Sequence, residues 1–273
     1  MPSEVSNRID KTNLGSQNIG NFLDLTNNMK PRLDWQLTSG IAGISNALVL
    51  LAVLLSFPLV LHFSGVTEIS PQGPQHTRAI LKFCFVVTGF LWVCFIIVLG
   101  GLRRRQKITW RELVGAKWNC WRSAFLDIGI ACATLLVMAI IGNVSNALLG
   151  RFQHDSVVFR SIVAQNRIEA FAFLAAALTA GFVEEFIFRG YIQTQCRALV
   201  GSTLVASALQ VMIFTQGHFY QGVLRLVPVL LIGVLLTAVA LWRKSLIPGM
   251  IAHGLGDGLV AFLFFARYLS TRS

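Results

Sequence analysis

The stretch Gly181-Phe-Val-Glu-Glu-Phe-Ile-Phe-Arg-Gly190 places two adjacent carboxylates and one arginine inside an otherwise apolar segment. An ionisable side chain near the middle of a bilayer costs at least ~2.5 to 3.5 kcal/mol, so three of them within six positions indicate a site. On a helix, Glu185 and Arg189 are four positions apart and share one face, where they can form an ion pair. Glu184 lies about 100° around the helix, which leaves its carboxylate available for other work.

The composition is typical of a polytopic membrane protein. Of the 273 residues, 55% are hydrophobic and 13% are charged, and the mean hydropathy is +0.66. These values lie outside the range of ordinary soluble domains. Because each spanning helix needs about 20 apolar residues, about seven such helices and their loops would use the whole length. We therefore predict an all-α transmembrane helix bundle without a separate soluble domain.

The net charge of +11 does not indicate nucleic-acid binding, because the basic residues lie between apolar runs and form no patch with interleaved aromatic residues. The positive-inside rule explains the charge better. If the amino terminus is cytoplasmic, fifteen of the 23 lysines and arginines fall on the cytoplasmic side. We therefore expect a multi-pass protein of the plasma or inner membrane with a cytoplasmic amino terminus.

The apolar runs divide the chain into three parts. Residues 1–40 are polar and lack the features of a secretory signal, which predicts a cytoplasmic tail. Residues 41–150 should hold the first transmembrane helices, and residues 151–273 the core with the charged site. The predicted spans are 41–63, 79–102, 124–149, 168–197, 201–218, 223–242 and 246–266. Residues 108–122 combine three tryptophans with basic residues, which predicts an amphipathic helix at the membrane surface.

Further polar residues interrupt the apolar pattern near the carboxyl terminus. Phe214-Thr-Gln-Gly-His218 ends the predicted fifth span, and His253 and Asp257 lie on the seventh. The last two are four positions apart, so the imidazole and the carboxylate share a face. On that face the acid could orient the ring or share a ligand with it.

Depth along the helices indicates that these polar groups can meet. If the basic residues that end the fourth and sixth spans mark the cytoplasmic boundary, a rise of ~1.5 Å per residue puts Glu184 and Asp257 ~20 Å deep. His253 then lies ~14 Å deep and His218 roughly 25 Å deep. The four residues fall within one band, provided that Arg189 also lies inside the membrane.

A carboxylate and two histidines in a water-accessible pocket suit two kinds of hydrolytic site. In one, Glu184 takes a proton from water, His218 helps to hold that water, and a donor on the seventh span stabilises the developing oxyanion. In the other, Glu184, His218 and His253 are zinc ligands that leave an open position for water. The H-E-x-x-H spacing of many zinc proteases does not occur in the sequence, and both alternatives stay open.

Three motifs on successive helices carry a family resemblance. Glu184-Glu185-x-x-x-Arg189, Phe214-x-x-x-His218 and His253-x-x-x-Asp257 occur in this order. Together they resemble the CPBP family of intramembrane proteases, which contains the CAAX prenyl endopeptidases and bacterial abortive-infection and bacteriocin-immunity proteins. The resemblance covers about residues 168–266 and marks the part 151–273 as the catalytic core.

The resemblance implies roles for the residues of these motifs. Glu184 and His218 would activate water, and His253 and the residue at position 257 would face the oxyanion. The prenyl endopeptidases have Asn at that last position, whereas this chain has Asp257. An ionised carboxylate cannot donate a hydrogen bond, so Asp257 must be protonated, orient His253 or bind metal. The other three motif residues are expected to give the site structural support: Glu185, Arg189 and Phe214.

The leading hypothesis is an intramembrane endopeptidase with a cavity reached from the cytoplasmic side or from the lipid. Its partners would be the bilayer and a peptide or protein substrate in or at the membrane, and no loop indicates whether that substrate is prenylated. A non-catalytic immunity or scaffold protein is the alternative. A proton-coupled transporter is a third hypothesis, and the internal repeat common in transporters is not apparent.

Overall fold

The structure, a computed structural model, describes residues 40–66, 74–105, 108–115, 118, 120–150 and 164–270. All regular elements in these ranges are helical, which confirms the predicted all-α class. The predicted tail before Gly40 lies outside the described residues, as does most of the loop after Gly150. The division of the chain at residues 40 and 150 stays a prediction.

The described residues form ten α-helices. These are α1 (Ile44–Leu55), α2 (Phe57–Phe63), α3 (Pro74–Arg105), α4 (Trp110–Val114), α5 (Trp121–Leu149), α6 (Arg167–Glu185), α7 (Gln193–Val200), α8 (Thr203–Gly217), α9 (Leu226–Arg243) and α10 (Ile247–Ser270). A π-helical segment, Phe186–Ile192, joins α6 to α7 into one long helix. Two short 3-10 turns, Phe219–Gln221 and Val223–Arg225, join α8 to α9.

Each of the seven predicted apolar segments is a helix or a pair of helices, but not all have the length of a span. Among the described residues, four helices are long and apolar enough to cross a membrane: Gln75–Arg105, Trp121–Leu149, Arg167–Val200 and Val223–Arg243. A fifth results if α1 and α2, which meet at 42°, count as one span. The helices Thr203–Gly217 and Ile247–Leu263 are apolar but shorter. The protein is therefore a polytopic helical bundle with four or five clear spans.

The predicted surface helix over residues 108–122 is much shorter in the structure. It is reduced to α4, which begins with a capping box between Thr109 and Glu112 and ends at Gly115 in the left-handed conformation (φ 68°). The backbone oxygen of Val114 accepts a hydrogen bond from the backbone nitrogen of Leu246 at 2.9 Å. The helix is short because this glycine turns the chain, and it is anchored to the bundle because its last residues are buried.

The helices α6 and α10 pack closely along a line of small residues. A Cβ atom added at Gly181 would fall on the backbone of Gly254 and lie 2.9 Å from the backbone oxygen of Met250. Only glycine therefore allows the two backbones to approach this closely. The interface matters for the site, because α6 carries the paired carboxylates and α10 carries His253 and Asp257.

We predict that Gly181→Ala destabilises the bundle, because the new methyl group cannot be placed without separating α6 from α10. Overpacking of this kind typically costs ~1 to 3 kcal/mol. The measurements are the melting temperature and the monodisperse fraction of protein purified in detergent. Gly129→Ala on α5 is the matched control, since its methyl group would meet no atom within 4 Å. Equal melting temperatures for both variants would contradict this account of the packing.

Candidate active site

The helix that carries the carboxylates changes its winding immediately after them. The segment Phe186–Ile192 is π-helical and all seven of its residues are buried. Such single-turn π segments are rare and occur often at functional sites. The apolar pattern of the sequence does not distinguish a π turn from an α turn, so this feature was not predicted.

The carboxylate of Glu185 is the centre of a buried network. Its Oε1 atom accepts a hydrogen bond from Nη1 of Arg189 at 2.9 Å and lies 3.0 Å from Nδ1 of His253. The Arg189 side chain is only 1% exposed. It also donates to the backbone oxygen of Gly233 at 3.3 Å, and its guanidinium group lies 4.2 Å from the centre of the Phe214 ring. The ion pair expected from the spacing is therefore present, and it joins α6, α8, α9 and α10.

His253 lies between three carboxylates. With Nδ1 facing Glu185, its Nε2 atom is 3.5 Å from Oδ2 of Asp257 and 3.9 Å from Oε2 of Glu184. A carboxylate acceptor at Nδ1 keeps a proton on that nitrogen. Glu185 is therefore the acid that orients the ring through Nδ1. The spacing between His253 and Asp257 did not predict this contact.

His218 caps the carboxyl end of α8. Its Nδ1 atom lies 2.9 Å from the backbone oxygen of Phe214, one helical turn earlier. Because a carbonyl oxygen can only accept, Nδ1 must carry the proton. In the neutral ring, Nε2 is then left with a lone pair that can accept a hydrogen bond or a proton.

One cavity brings the candidate residues together. It has a volume of about 330 Å³, and its wall includes Glu184, His218, His253 and Asp257. The Glu184 side chain is 12% exposed and that of Asp257 is 48% exposed. Oε2 of Glu184 is buried and has no hydrogen-bond partner among the described residues. Glu184 therefore has a carboxylate beside His253 that makes no hydrogen bond through Oε2.

The side chains do not form the zinc site that the sequence left open. In the described part of the chain, no group of three or more His, Cys, Asp or Glu residues is arranged to hold a metal ion.

We predict that Glu185→Ala destabilises the protein strongly, because it leaves Arg189 buried without its partner carboxylate. Removing one member of a buried ion pair typically costs ~3 to 5 kcal/mol. The neighbouring variant Glu184→Ala is the matched control and should melt close to the wild type, since Glu184 takes no part in that pair. Thermal unfolding in detergent measures both. If the two alanine variants melt at the same temperature, the distinction between the adjacent carboxylates is wrong.

Comparison with family models gives one match in the same region. Residues 166–259 match the model described as type II CAAX prenyl endopeptidase Rce1-like. No curated protein and no solved structure matches the chain. The matched segment contains all seven residues of the three motifs, and its family consists of CAAX-type intramembrane endopeptidases. Residues 166–259 are thus similar to an Rce1-like domain, and this match supports the resemblance of the chain to the CPBP family of intramembrane proteases.

Proposed function

We propose that the protein hydrolyses a peptide bond of a membrane-associated substrate inside this cavity, with water activated by Glu184. The observation that supports the proposal most directly is the position of Glu184. Its carboxylate lies in the cavity wall, and its Oε2 atom, 3.9 Å from Nε2 of His253, accepts no hydrogen bond from the described residues. A carboxylate without a structural partner is suited to act as a general base.

Glu184 and His218 would act on the same water molecule. Nε2 of His218 can accept one hydrogen bond from that water, because Nδ1 is held by the backbone of Phe214. Glu184 would take the second proton as the water oxygen attacks the carbonyl carbon of the substrate. The carbon–nitrogen bond then breaks, and Glu184 returns its proton to the leaving amine.

His253 and Asp257 would face the oxyanion of the tetrahedral intermediate. Asp257 can donate a hydrogen bond only when it is protonated. Its Oδ2 atom lies 3.5 Å from Nε2 of His253, so a proton held by this pair would be available to the oxyanion. A donor placed where negative charge develops is typically worth ~2.7 to 4 kcal/mol of transition-state stabilisation. Glu185 would act through His253 by fixing its ring.

The substrate would be a peptide or protein in or at the plasma or inner membrane, with or without a prenyl group. We propose a cytoplasmic amino terminus for the enzyme, because the basic residues are concentrated on that side of the predicted spans. One observation favours the alternative of a non-catalytic scaffold. The contacts of Glu185 with Arg189 and His253 are fully buried, as expected of residues retained for stability.

We predict that Glu184→Gln and His218→Ala each lower cleavage by ~10² to 10⁴-fold, the usual contribution of a general base. Both variants should stay folded and inserted. The assay is cleavage of a peptide library, with and without a farnesyl group, by protein purified in detergent. His62→Ala is the matched histidine control, because His62 is exposed and does not line the cavity. Normal cleavage by Glu184→Gln would refute the proposed mechanism.

We also predict that activity does not depend on zinc. The purified protein should contain far less than one zinc ion per chain, and cleavage should persist after dialysis against a chelator, because no group of side chains in the described ranges is arranged to hold a metal ion. Elemental analysis and the peptide assay measure the two quantities. Stoichiometric zinc, with activity that is lost on chelation and restored by zinc alone, would show that the geometric argument is wrong.

A further inference from the structure

Tyr220 is a residue of the cavity wall that lies outside the three motifs. It follows His218 by two positions, in the short 3-10 turn Phe219–Gln221 directly after α8. The rings of Tyr220 and His218 are nearly parallel, with an angle of 25° between their planes and 6.3 Å between their centres. This distance lies within the ~4.5 to 7 Å range of interacting ring pairs. Tyr220 is therefore a direct neighbour of the imidazole that would hold the attacking water.

Phe214 fixes one atom of the His218 ring. Its backbone oxygen accepts a hydrogen bond from Nδ1 at 2.9 Å, and its own ring contacts the imidazole with 4.7 Å between ring centres. A single hydrogen bond holds one atom in place, and the imidazole can still turn about that atom. The direction of Nε2 therefore depends on the rings that pack against the imidazole, which include those of Phe214 and Tyr220.

Tyr220 is itself held by helices near the amino terminus. Its ring meets that of Phe57 on α2 edge to face, with 5.9 Å between centres, and that of Phe83 on α3 at 6.2 Å. Phe57 and Phe83 are buried in one apolar cluster, and Tyr220 packs against this cluster. Phe57 also packs against Phe90 of α3, with 4.6 Å between ring centres. The tyrosine ring therefore has the fixed surroundings that it needs in order to support another side chain.

The hydroxyl group of Tyr220 makes a separate contact. Nε2 of Gln221 donates a hydrogen bond to the phenolic oxygen at 3.2 Å. This bond joins neighbouring residues of the same turn, whereas the contacts with Phe57, Phe83 and His218 are made by the ring. A variant that retains the ring and lacks the hydroxyl group should therefore keep all three ring contacts.

We propose that Tyr220 is a positioning residue for His218, and that α2 and α3 contribute to catalysis through its ring. This inference rests on the proposed function of the cavity as the peptidase site. The ring of Tyr220 would keep Nε2 of His218 directed at the water, while Phe214 holds Nδ1. The family match begins at residue 166, so Phe57 and Phe83 lie outside it. The helices before the matched segment would then complete the site as well as anchor the protein in the membrane.

Two substitutions at position 220 separate the ring from the hydroxyl group. Tyr220→Phe retains the ring and should cleave at nearly the wild-type rate in the peptide assay. Tyr220→Leu removes the flat surface and should lower kcat by about 10 to 10²-fold, because a small displacement of a positioned group slows the chemical step. KM should change little, since His218 would act on water. Phe85→Leu on α3 is the matched control, because Phe85 is 78% exposed and does not line the cavity.

The same substitution in a His218→Ala background distinguishes positioning from a general loss of stability. If Tyr220 acts through His218, Tyr220→Leu should slow cleavage no further once His218 is replaced. A purely structural defect would lower the rate by the same factor in both backgrounds. Phe57→Leu on α2 provides the same comparison without a change in the turn after α8. It should lower kcat in the wild-type background alone, and it serves if Tyr220→Leu does not yield monodisperse protein.

Normal cleavage by Tyr220→Leu would overturn the proposal, and so would equal losses in Tyr220→Leu and Tyr220→Phe, because the ring would then not be the part that matters. A loss that persists unchanged in the His218→Ala background would also overturn it. In these cases the proposed function stands if Glu184→Gln still slows cleavage. Normal cleavage by both Glu184→Gln and His218→Ala would instead refute the proposed function and this inference together.

Discussion

The buried carboxylate of Glu185 is the interaction on which the rest of the site depends. Arg189 and His253 share one of its oxygens at 2.9 and 3.0 Å. The same arginine contacts α8 through Phe214 and α9 through Gly233. Charges in an apolar interior are tolerated only when they are paired and hydrogen-bonded. The network therefore holds four helices in one arrangement, and it fixes which nitrogen of His253 faces the cavity.

The adjacent residues Glu184 and Glu185 have different surroundings because a helix turns by about 100° per residue. Glu185 points into the network and is fully buried, whereas Glu184 lies in the cavity wall with a side chain that is 12% exposed. The proposed reaction needs both environments. A fixed carboxylate orients a ring, and a free one accepts and returns a proton.

Much of this arrangement could be predicted from the sequence, because it depends on helical spacing and on the cost of charges in lipid. The apolar runs predicted the helices, and the spacing of Glu185 and Arg189 predicted their ion pair. Three features could not be predicted in this way. The π-helical segment has the same apolar pattern as an α-helix, Gly115 shortens α4 through a backbone conformation, and the contact of His253 with Glu185 joins residues that are 68 positions apart. Each depends on tertiary packing rather than on local pattern.

The most direct test of the mechanism is a double-mutant cycle on cleavage rates with Glu184→Gln, His218→Ala and the double variant. Residues that act on one water molecule are strongly non-additive, because losing either one already disables the step. The double variant should therefore cleave about as slowly as the slower single variant. If the two losses multiply instead, Glu184 and His218 act independently, and the shared water at the centre of this account does not exist.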